Sequence, residues 1–187
     1  MNVILLGPPG AGKGTQGALL SERQGLAKIA TGDLLRAAVR EGTALGGQAQ
    51  SYMDQGLLVP DGIILGLIEE VLSSPEAQPG VIMDGFPRTV AQAEAVGQRL
   101  AERGTEVHRV LSITVPRHEL TKRLLGRAGQ ERRSDDTLEA IERRLVVYEG
   151  ETAPLIAYYK EKGILAEVDG VGTVEEIASR FDQALEQ

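Results

Sequence analysis

The chain has 187 residues, of which 42% are hydrophobic and 25% are charged, a composition that suits one globular domain. Its formal net charge of −7 argues against general attraction to nucleic acid or to an anionic membrane, so any polyanion must be held by a local basic pocket. The absence of cysteine excludes disulfides, thiol catalysis and a cysteine-ligated zinc site.

Short apolar segments alternate with longer amphipathic ones along the chain, which predicts a parallel sheet with helices on both faces. Strands are predicted over Asn2–Leu6, Lys28–Ala30, Val81–Asp84, Val107–Val115 and Ile164–Val168. Helices are predicted over Lys13–Gln24, Asp61–Leu72, Thr89–Arg103, Arg117–Arg127, Asp136–Glu149, Ala153–Lys162 and Val174–Glu186. Ligands of such folds bind beyond the carboxyl ends of the strands.

Two segments interrupt this alternation. Residues 31–59 contain two helical patterns, Asp33–Glu41 and Gly47–Gln55, without an intervening strand, and are predicted to form a helical insertion. Gly126–Asp136 is short and polar, and is predicted to be a surface flap. Asp136 and Glu139 have the spacing of a capping box that opens the next helix.

The segment Gly7–Thr15 lies between the first predicted strand and the first predicted helix, which is the setting of a phosphate-binding P-loop. Backbone N–H groups from Gly10 onward would form an anion nest, and Lys13 would reach the β- and γ-phosphates. Position 14 is Gly, so the hydroxyl of the motif comes one residue later, at Thr15. The segment predicts a nucleoside triphosphate site; the alternative is a tight strand–helix turn with incidental glycines.

A second polar group follows the strand that ends at Asp84. In P-loop proteins an aspartate at such a strand end helps to hold Mg²⁺ through its water shell. Gly85 would allow close approach of a ligand, and Arg88 offers a planar fork for a phosphate. Gln92, four residues further on, carries the donor and acceptor that recognition of a base edge requires. The alternative is a Gly-Pro turn with a solvent-exposed Arg and Gln.

Thr31 and Arg36 open the predicted helical insertion. In a functional interpretation, Thr31 offers a hydroxyl near a base and Arg36 meets a second phosphate. In the structural alternative, Thr31 or Asp33 caps the helix and Arg36 is exposed.

Basic residues crowd between Arg117 and Arg144, although the chain is acidic overall. Arg123 and Arg127 share one helix face, Arg133 lies in the predicted flap, and Arg144 lies on the following helix. Such residues can form exposed ion pairs of little energetic value. Around a polar flap in a P-loop protein, however, they fit the cationic clamp that stabilises a transferring phosphoryl group.

Taken in this order and spacing, the motifs resemble those of the adenylate kinase family from Val3 to the last helix. The resemblance implies an α/β P-loop kinase fold with a five-stranded parallel sheet, and the reaction ATP + AMP = 2 ADP with Mg²⁺ arriving as MgATP. It also implies a core of residues 1–29, 60–125 and 137–187, an AMP-binding insertion at 30–59 and a short lid at 126–136.

The resemblance further implies individual roles. Catalytic roles fall to Lys13, Arg88, Arg123, Arg133 and Arg144. ATP binding falls to Gly10, Ala11, Gly12, Lys13, Gly14, Thr15, Arg123, Arg127 and the backbone of Gly172. AMP binding falls to Thr31, Arg36, Leu57, Leu58, Val59, Gly85, Phe86, Pro87, Arg88, Gln92, Arg133 and Arg144. Asp84 would act on substrate-bound Mg²⁺ through water, no structural zinc is expected, and the Phe86–Pro87 bond would be cis.

The sequence departs from the family pattern at two places, and it leaves two other functions open. The lid is short and lacks cysteine, and Gly172 stands where many members have lysine, so only its backbone role transfers. A kinase for UMP or CMP on the same fold is the nearest alternative, although Thr31 with Gln92 favours adenine. A non-catalytic nucleotide switch is disfavoured by Gly14 and by the absence of an Asn-Lys-x-Asp guanine signature. We expect a cytoplasmic monomer without nucleic-acid or membrane partners, since no signal peptide or transmembrane run is found.

Overall fold

A parallel sheet forms the centre of the molecule. The computed structural model describes residues 1–131 and 137–186, with side chains throughout except at 127–131. Its strands are β1 (Val3–Leu6), β2 (Ala27–Ala30), β3 (Val81–Asp84), β4 (Arg109–Thr114) and β5 (Leu165–Asp169). They form one five-stranded sheet in the order β2-β3-β1-β4-β5, and every neighbouring pair is parallel. The predicted α/β class is confirmed.

Helices cover both faces of the sheet. They are α1 (Lys13–Gln24), α2 (Thr31–Arg40), α3 (Ala44–Asp54), α4 (Asp61–Leu72), α5 (Val90–Glu102), α6 (Arg117–Glu131), α7 (Leu138–Val147), α8 (Pro154–Glu161) and α9 (Val174–Leu185). A short 3₁₀ turn precedes β3 and a π-helical turn joins α7 to α8. Within residues 1–131 and 137–186, none of the helices combines the length and apolar character that crossing a bilayer requires.

The helices of residues 31–59 begin two and three residues earlier than predicted, at Thr31 and Ala44. Beside the predicted flap, two further predicted helix ends differ from the structure. Helix α6 ends at Glu131 rather than at Arg127, so it continues into the segment predicted as flap. The cap of α7 is Thr137, whose hydroxyl accepts a hydrogen bond from the N–H of Ala140. The predicted cap, Asp136, lies outside the described residues. Thr137 and Asp136 are both good capping types, so the pattern alone could not separate neighbouring positions.

The strands are buried on both faces, which explains why they appear in the sequence as continuous apolar runs. In β1, Ile4 and Leu6 pack into one core cluster with α4, α5 and α8, whereas Val3 and Leu5 pack into the other with α1, α6, α7 and α9. All four side chains are buried. Because successive side chains point to opposite faces, a register slip of one residue would exchange the two clusters, and burial therefore fixes the register.

The register brings three strand ends to one edge of the sheet. Asp84 at the end of β3 is paired with Leu5 of β1 and with Ala30 of β2. The loops that follow these strands therefore start side by side. Strand β1 lies between β3 and β4, so the chain leaves it at the point where the strand order reverses. Ligands of open α/β sheets bind in the crevice at such a point.

Helices α2 and α3 lie in the segment predicted as a helical insertion, and they pack closely on each other. Gly42, with φ 66°, provides the turn that follows α2, and Thr43 caps α3 by accepting from the N–H of Gly46. A Cβ at Gly46 would overlap the backbone carbonyl of Ala38 on α2. The close approach of the two helices therefore requires glycine at position 46.

Candidate active site

The loop after β1 lines a cavity of about 560 Å³ at the carboxyl edge of the sheet. All residues from Gly10 to Thr15 contribute to its wall. Gly10 has φ +84°, and a Cβ there would lie 2.9 Å from Cγ of Leu124 on α6, so both backbone and space require glycine. Helix α1 begins at Lys13, and its first N–H groups therefore belong to the loop that lines the cavity. A helix start in the wall of a cavity is the arrangement that the predicted anion nest requires.

The Lys13 side chain folds back over the loop. Its Nζ donates to the carbonyl of Gly7 at 2.6 Å and to that of Pro8 at 3.0 Å. The ammonium is thus held at the wall of the cavity by carbonyl oxygens of its own loop. A phosphate entering the nest would exchange these neutral acceptors for a charged one, and charge-assisted hydrogen bonds are the stronger kind.

Asp84 faces the loop from β3, beside a lysine that the sequence analysis did not single out. The Nζ of Lys28 lies 4.0 Å from Asp84 Oδ2 and donates at 2.8 Å to the carbonyl of Gly14. The stem of Lys28 passes Gly17, where a Cβ would come within 3.3 Å of Lys28 Cε. In the sequence, the available sign of this role was a lysine within a short apolar strand. The partners of Lys28 come from other parts of the chain, so the sequence did not reveal the contact.

Five of the basic side chains predicted for phosphate binding line this cavity, together with Lys28. Of the described residues that line it, six are Lys or Arg and two are Asp, so the wall is positive although the chain is acidic. The basic residues are Lys13, Lys28, Arg36, Arg88, Arg123 and Arg144. A cleft lined by one sign of charge concentrates ligands of the opposite sign, in this case a polyphosphate.

Arg123 is held in place by its own helix and by the loop after β5. Its Nε donates to Glu119 at 3.0 Å, and its Nη2 donates to the carbonyl of Gly170 at 3.1 Å. The hydrogen bond from Arg123 holds the pKa of the Glu119 carboxyl below its ordinary value. Tyr148 lines the same cavity, and burial raises the pKa of its phenol, which keeps the hydroxyl protonated.

A second, smaller cavity of about 70 Å³ adjoins the first and is lined by the helical insertion. Most of the predicted AMP residues lie in its wall: Thr31, Arg36, Leu57, Leu58, Val59, Gly85, Arg88, Gln92 and Arg144. Arg36, Arg88 and Arg144 line both cavities and therefore lie at their junction. Arg36 donates to Asp33 at 2.6 Å, and Arg88 Nε donates to the carbonyl of Gly85 at 2.8 Å.

Thr31 is not the cap of α2, which rules out one structural alternative for this residue. The cap is Ala30, which makes no side-chain capping bond, and the Thr31 hydroxyl donates to the Gly85 carbonyl at 3.0 Å.

Phe86 is buried in the core beneath the site, Pro87 lines the larger cavity, and the bond between them is cis as expected.

Gln92 is buried and both ends of its amide are bound. Its Oε1 accepts from the backbone N–H of Arg88 at 2.7 Å, and its Nε2 donates to Oδ1 of Asp61 at 2.6 Å. The hydroxyl of Thr89 caps α5 by accepting from the backbone N–H of Gln92, which fixes the start of the helix. Asp61 opens α4 and was not singled out in the sequence, where an acidic residue in a first helical turn needs no further explanation.

Four predicted positions are not placed in either cavity, and one of them is Phe86, which is buried in the core. Arg133 lies outside the described residues, and Arg127 is described only as part of the backbone of α6. Gly172 lines neither cavity; it lies just before the cap of α9 with φ +139°, a conformation that favours glycine.

Comparison with known proteins supports one family over nearly the whole chain. The family model described as adenylate kinase matches residues 5–164. An adenylate kinase of Maricaulis maris is 48% identical over 187 residues, covering 100% of both chains. Adenylate kinases of Leptospira biflexa and Citrifermentans bemidjiense are 50% and 48% identical, covering 95% and 96% of each chain. These matches show that the chain belongs to the adenylate kinase family, and the glycine-rich loop and the arginines shared by two cavities agree with that assignment.

Proposed function

We propose that this phosphotransferase catalyses ATP + AMP = 2 ADP, with ATP in the larger cavity and AMP in the smaller one. The junction between the cavities is the observation that carries the assignment. Arg36, Arg88 and Arg144 line both spaces, so cationic groups stand where two phosphate chains would meet. A hydrolase or a nucleotide switch has no need of a second cavity with a shared cationic wall.

The larger cavity suits a triphosphate bound by backbone N–H groups and point charges. Gly10 to Thr15 would cradle the phosphates, and Lys13 would leave the carbonyls of Gly7 and Pro8 to contact the β- and γ-phosphates. Arg123 would contact the same phosphates, while Arg127 and the backbone of Gly172 complete the ATP set. Arg133 joins Arg88, Arg123 and Arg144 in the proposed catalytic set.

The smaller cavity suits a monophosphate with a purine base. Arg36 and Arg88 would hold its phosphate, and Gln92 would face the base beside the Thr31 hydroxyl. The backbone of residues 57–59 would lie around the adenine. We assign this pocket to the insertion at 30–59, and we retain the division into this insertion, a lid at 126–136 and a core formed by the rest.

The chemistry needs no general base and no covalent intermediate. An oxygen of the AMP phosphate attacks the γ-phosphoryl group in line, and the protein contributes position and charge neutralisation. Lys13 and the arginines at the junction offset the charge on the equatorial oxygens. Closure of the lid and insertion would exclude water, which otherwise would accept the phosphoryl group.

Mg²⁺ enters as part of the substrate, MgATP. Oxygen ligands suit this ion, and the carboxylate of Asp84 and hydroxyl of Thr15 are the nearby hard donors. Asp84 Oδ2 lies 3.7 Å from where a Cβ on Gly14 would be, so the carboxylate faces the loop that would hold the phosphates. Bound Mg²⁺ would neutralise charge on the β- and γ-phosphates.

A panel of nucleoside monophosphates tests this assignment. ADP formation from MgATP is measured with AMP, UMP, CMP and GMP in turn, and without any acceptor. We expect AMP to give the highest kcat/KM by a wide margin. A preference for UMP or CMP would contradict the assignment of adenine to the smaller cavity.

We further propose that the protein acts as a cytoplasmic monomer in adenine nucleotide homeostasis.

A further inference from the structure

We propose that Asp61 determines the base selectivity of the smaller cavity by fixing the orientation of the Gln92 amide. This assignment rests on the proposed function, in which Gln92 faces the base of the acceptor nucleotide. Asp61 itself would touch no substrate atom; it acts through Gln92 and is a positioning residue.

Two protein groups can both hydrogen-bond to the Gln92 amide in only one of its two orientations. The backbone N–H of Arg88 can only donate, and it binds Oε1 at 2.7 Å. The carboxylate of Asp61 can only accept, and it binds Nε2 at 2.6 Å. A flipped amide would set NH₂ against N–H and oxygen against carboxylate. Since Gln92 is only 2% exposed, water could not relieve these two mismatches.

The fixed amide still has groups to offer a ligand. An amide nitrogen carries two hydrogens and an amide oxygen two lone pairs, so one of each is left after the bonds to Asp61 and Arg88. These groups belong to a residue that lines the smaller cavity. Gln92 can therefore present one donor and one acceptor, in an order that the protein has already set.

That order distinguishes 6-amino from 6-oxo purines. Adenine has a donor at its 6-amino group and an acceptor at N1, whereas hypoxanthine and guanine have an acceptor at O6 and a donor at N1. In one base pose, the two classes require opposite orientations of the same amide. A fixed amide thus selects one class, while an amide that can flip accepts both.

Of the two groups that orient the Gln92 amide, mutation can change only Asp61, because the other is a backbone N–H. Asparagine keeps the size of the side chain and can turn either its oxygen or its NH₂ toward Gln92. It would therefore tolerate the flipped amide that aspartate disfavours. Serine, whose hydroxyl both donates and accepts, provides a second variant with the same property.

The selectivity ratio tests the assignment. kcat/KM is measured for AMP and for IMP, which differs from AMP at the 6 position and N1 only, in the parent, Asp61→Asn and Asp61→Ser. Both variants lose the charge-assisted hydrogen bond from Gln92 to Asp61, which favours one amide orientation. The ratio of kcat/KM for IMP to kcat/KM for AMP should therefore rise about tenfold, with KM for ATP unchanged. Glu70→Gln, the same change of charge at an exposed position of α4, is the control and should keep the parent's ratio.

The outcomes separate this assignment from the proposed function. Equal losses with AMP and IMP, or a ratio unchanged in both variants, would overturn the orientation role while leaving adenylate kinase activity in place. If Asp61→Asn does not fold, the ratio of Asp61→Ser decides in the same way. A parent that forms no AMP-dependent ADP would overturn the proposed function, and the role of Asp61 with it.

Discussion

Replacing Arg88 with methionine should damage use of AMP far more than binding of ATP. Arg88 lines both cavities, and its Nε is fixed by the carbonyl of Gly85 at 2.8 Å. Methionine keeps the length of the stem and removes the charged fork. If Arg88 makes two charge-assisted hydrogen bonds to the AMP phosphate, each of about 1.5–3 kcal/mol, their loss comes to about 3–6 kcal/mol. That corresponds to a fall of about 10² to 10⁴ in kcat/KM for AMP.

Steady-state ADP formation measures this effect when AMP is varied at saturating MgATP and MgATP is varied at saturating AMP. We expect KM for ATP to stay within about threefold of the parent, because the P-loop supplies most of its phosphate contacts. Arg88→Lys, which keeps the charge without the fork, should recover part of the activity. Arg99→Met, at an arginine of α5 whose side chain is 55% exposed, is the control and should match the parent. Parent-like AMP kinetics in Arg88→Met, or an equal loss for both nucleotides, would refute this role.

Three further predictions concern the loop, the insertion and the core. Lys13→Met should lower kcat by about 10²-fold or more at unchanged fold, judged by circular dichroism; a near-normal rate would contradict the P-loop role. Gly46→Ala should cost about 1–3 kcal/mol in urea unfolding, since its Cβ would overlap α2, whereas Gly47→Ala in the same helix meets open space and should not destabilise. Tyr159→Phe should leave thermal stability equal or higher, because among the described residues this buried hydroxyl finds no hydrogen-bond partner; a large loss would show that it has one.

The sequence predicted those parts of the structure that depend on neighbouring residues. The bounds of α1, α4 and β3 agree with the structure because a glycine, a proline or a strand-ending carboxylate marks their ends. The P-loop prediction has the same basis, since a strand, glycines, a lysine and a helix follow one another directly in the sequence. The predicted end of α6 was wrong because the polar residues after Arg127 suggested a flap, whereas a polar segment can continue a helix.

Contacts between distant segments could not be found in this way. Lys28 meets the Gly14 carbonyl only because β2 packs beside α1, and Asp61 meets Gln92 across 31 residues of sequence. In isolation both have ordinary explanations, as a strand residue and as an acidic first helical turn. Thr31 was ambiguous for a related reason: whether its hydroxyl caps α2 or bonds to Gly85 depends on the pairing of β2 with β3.

The most direct test of the central claim is the stoichiometry of ADP formation by the purified protein with MgATP, in the presence and absence of AMP. Two ADP should appear for each AMP consumed, and omission of AMP should leave almost no ADP. ADP and free phosphate formed at the same rate without AMP would contradict transfer between two nucleotide sites, because water would then be the acceptor.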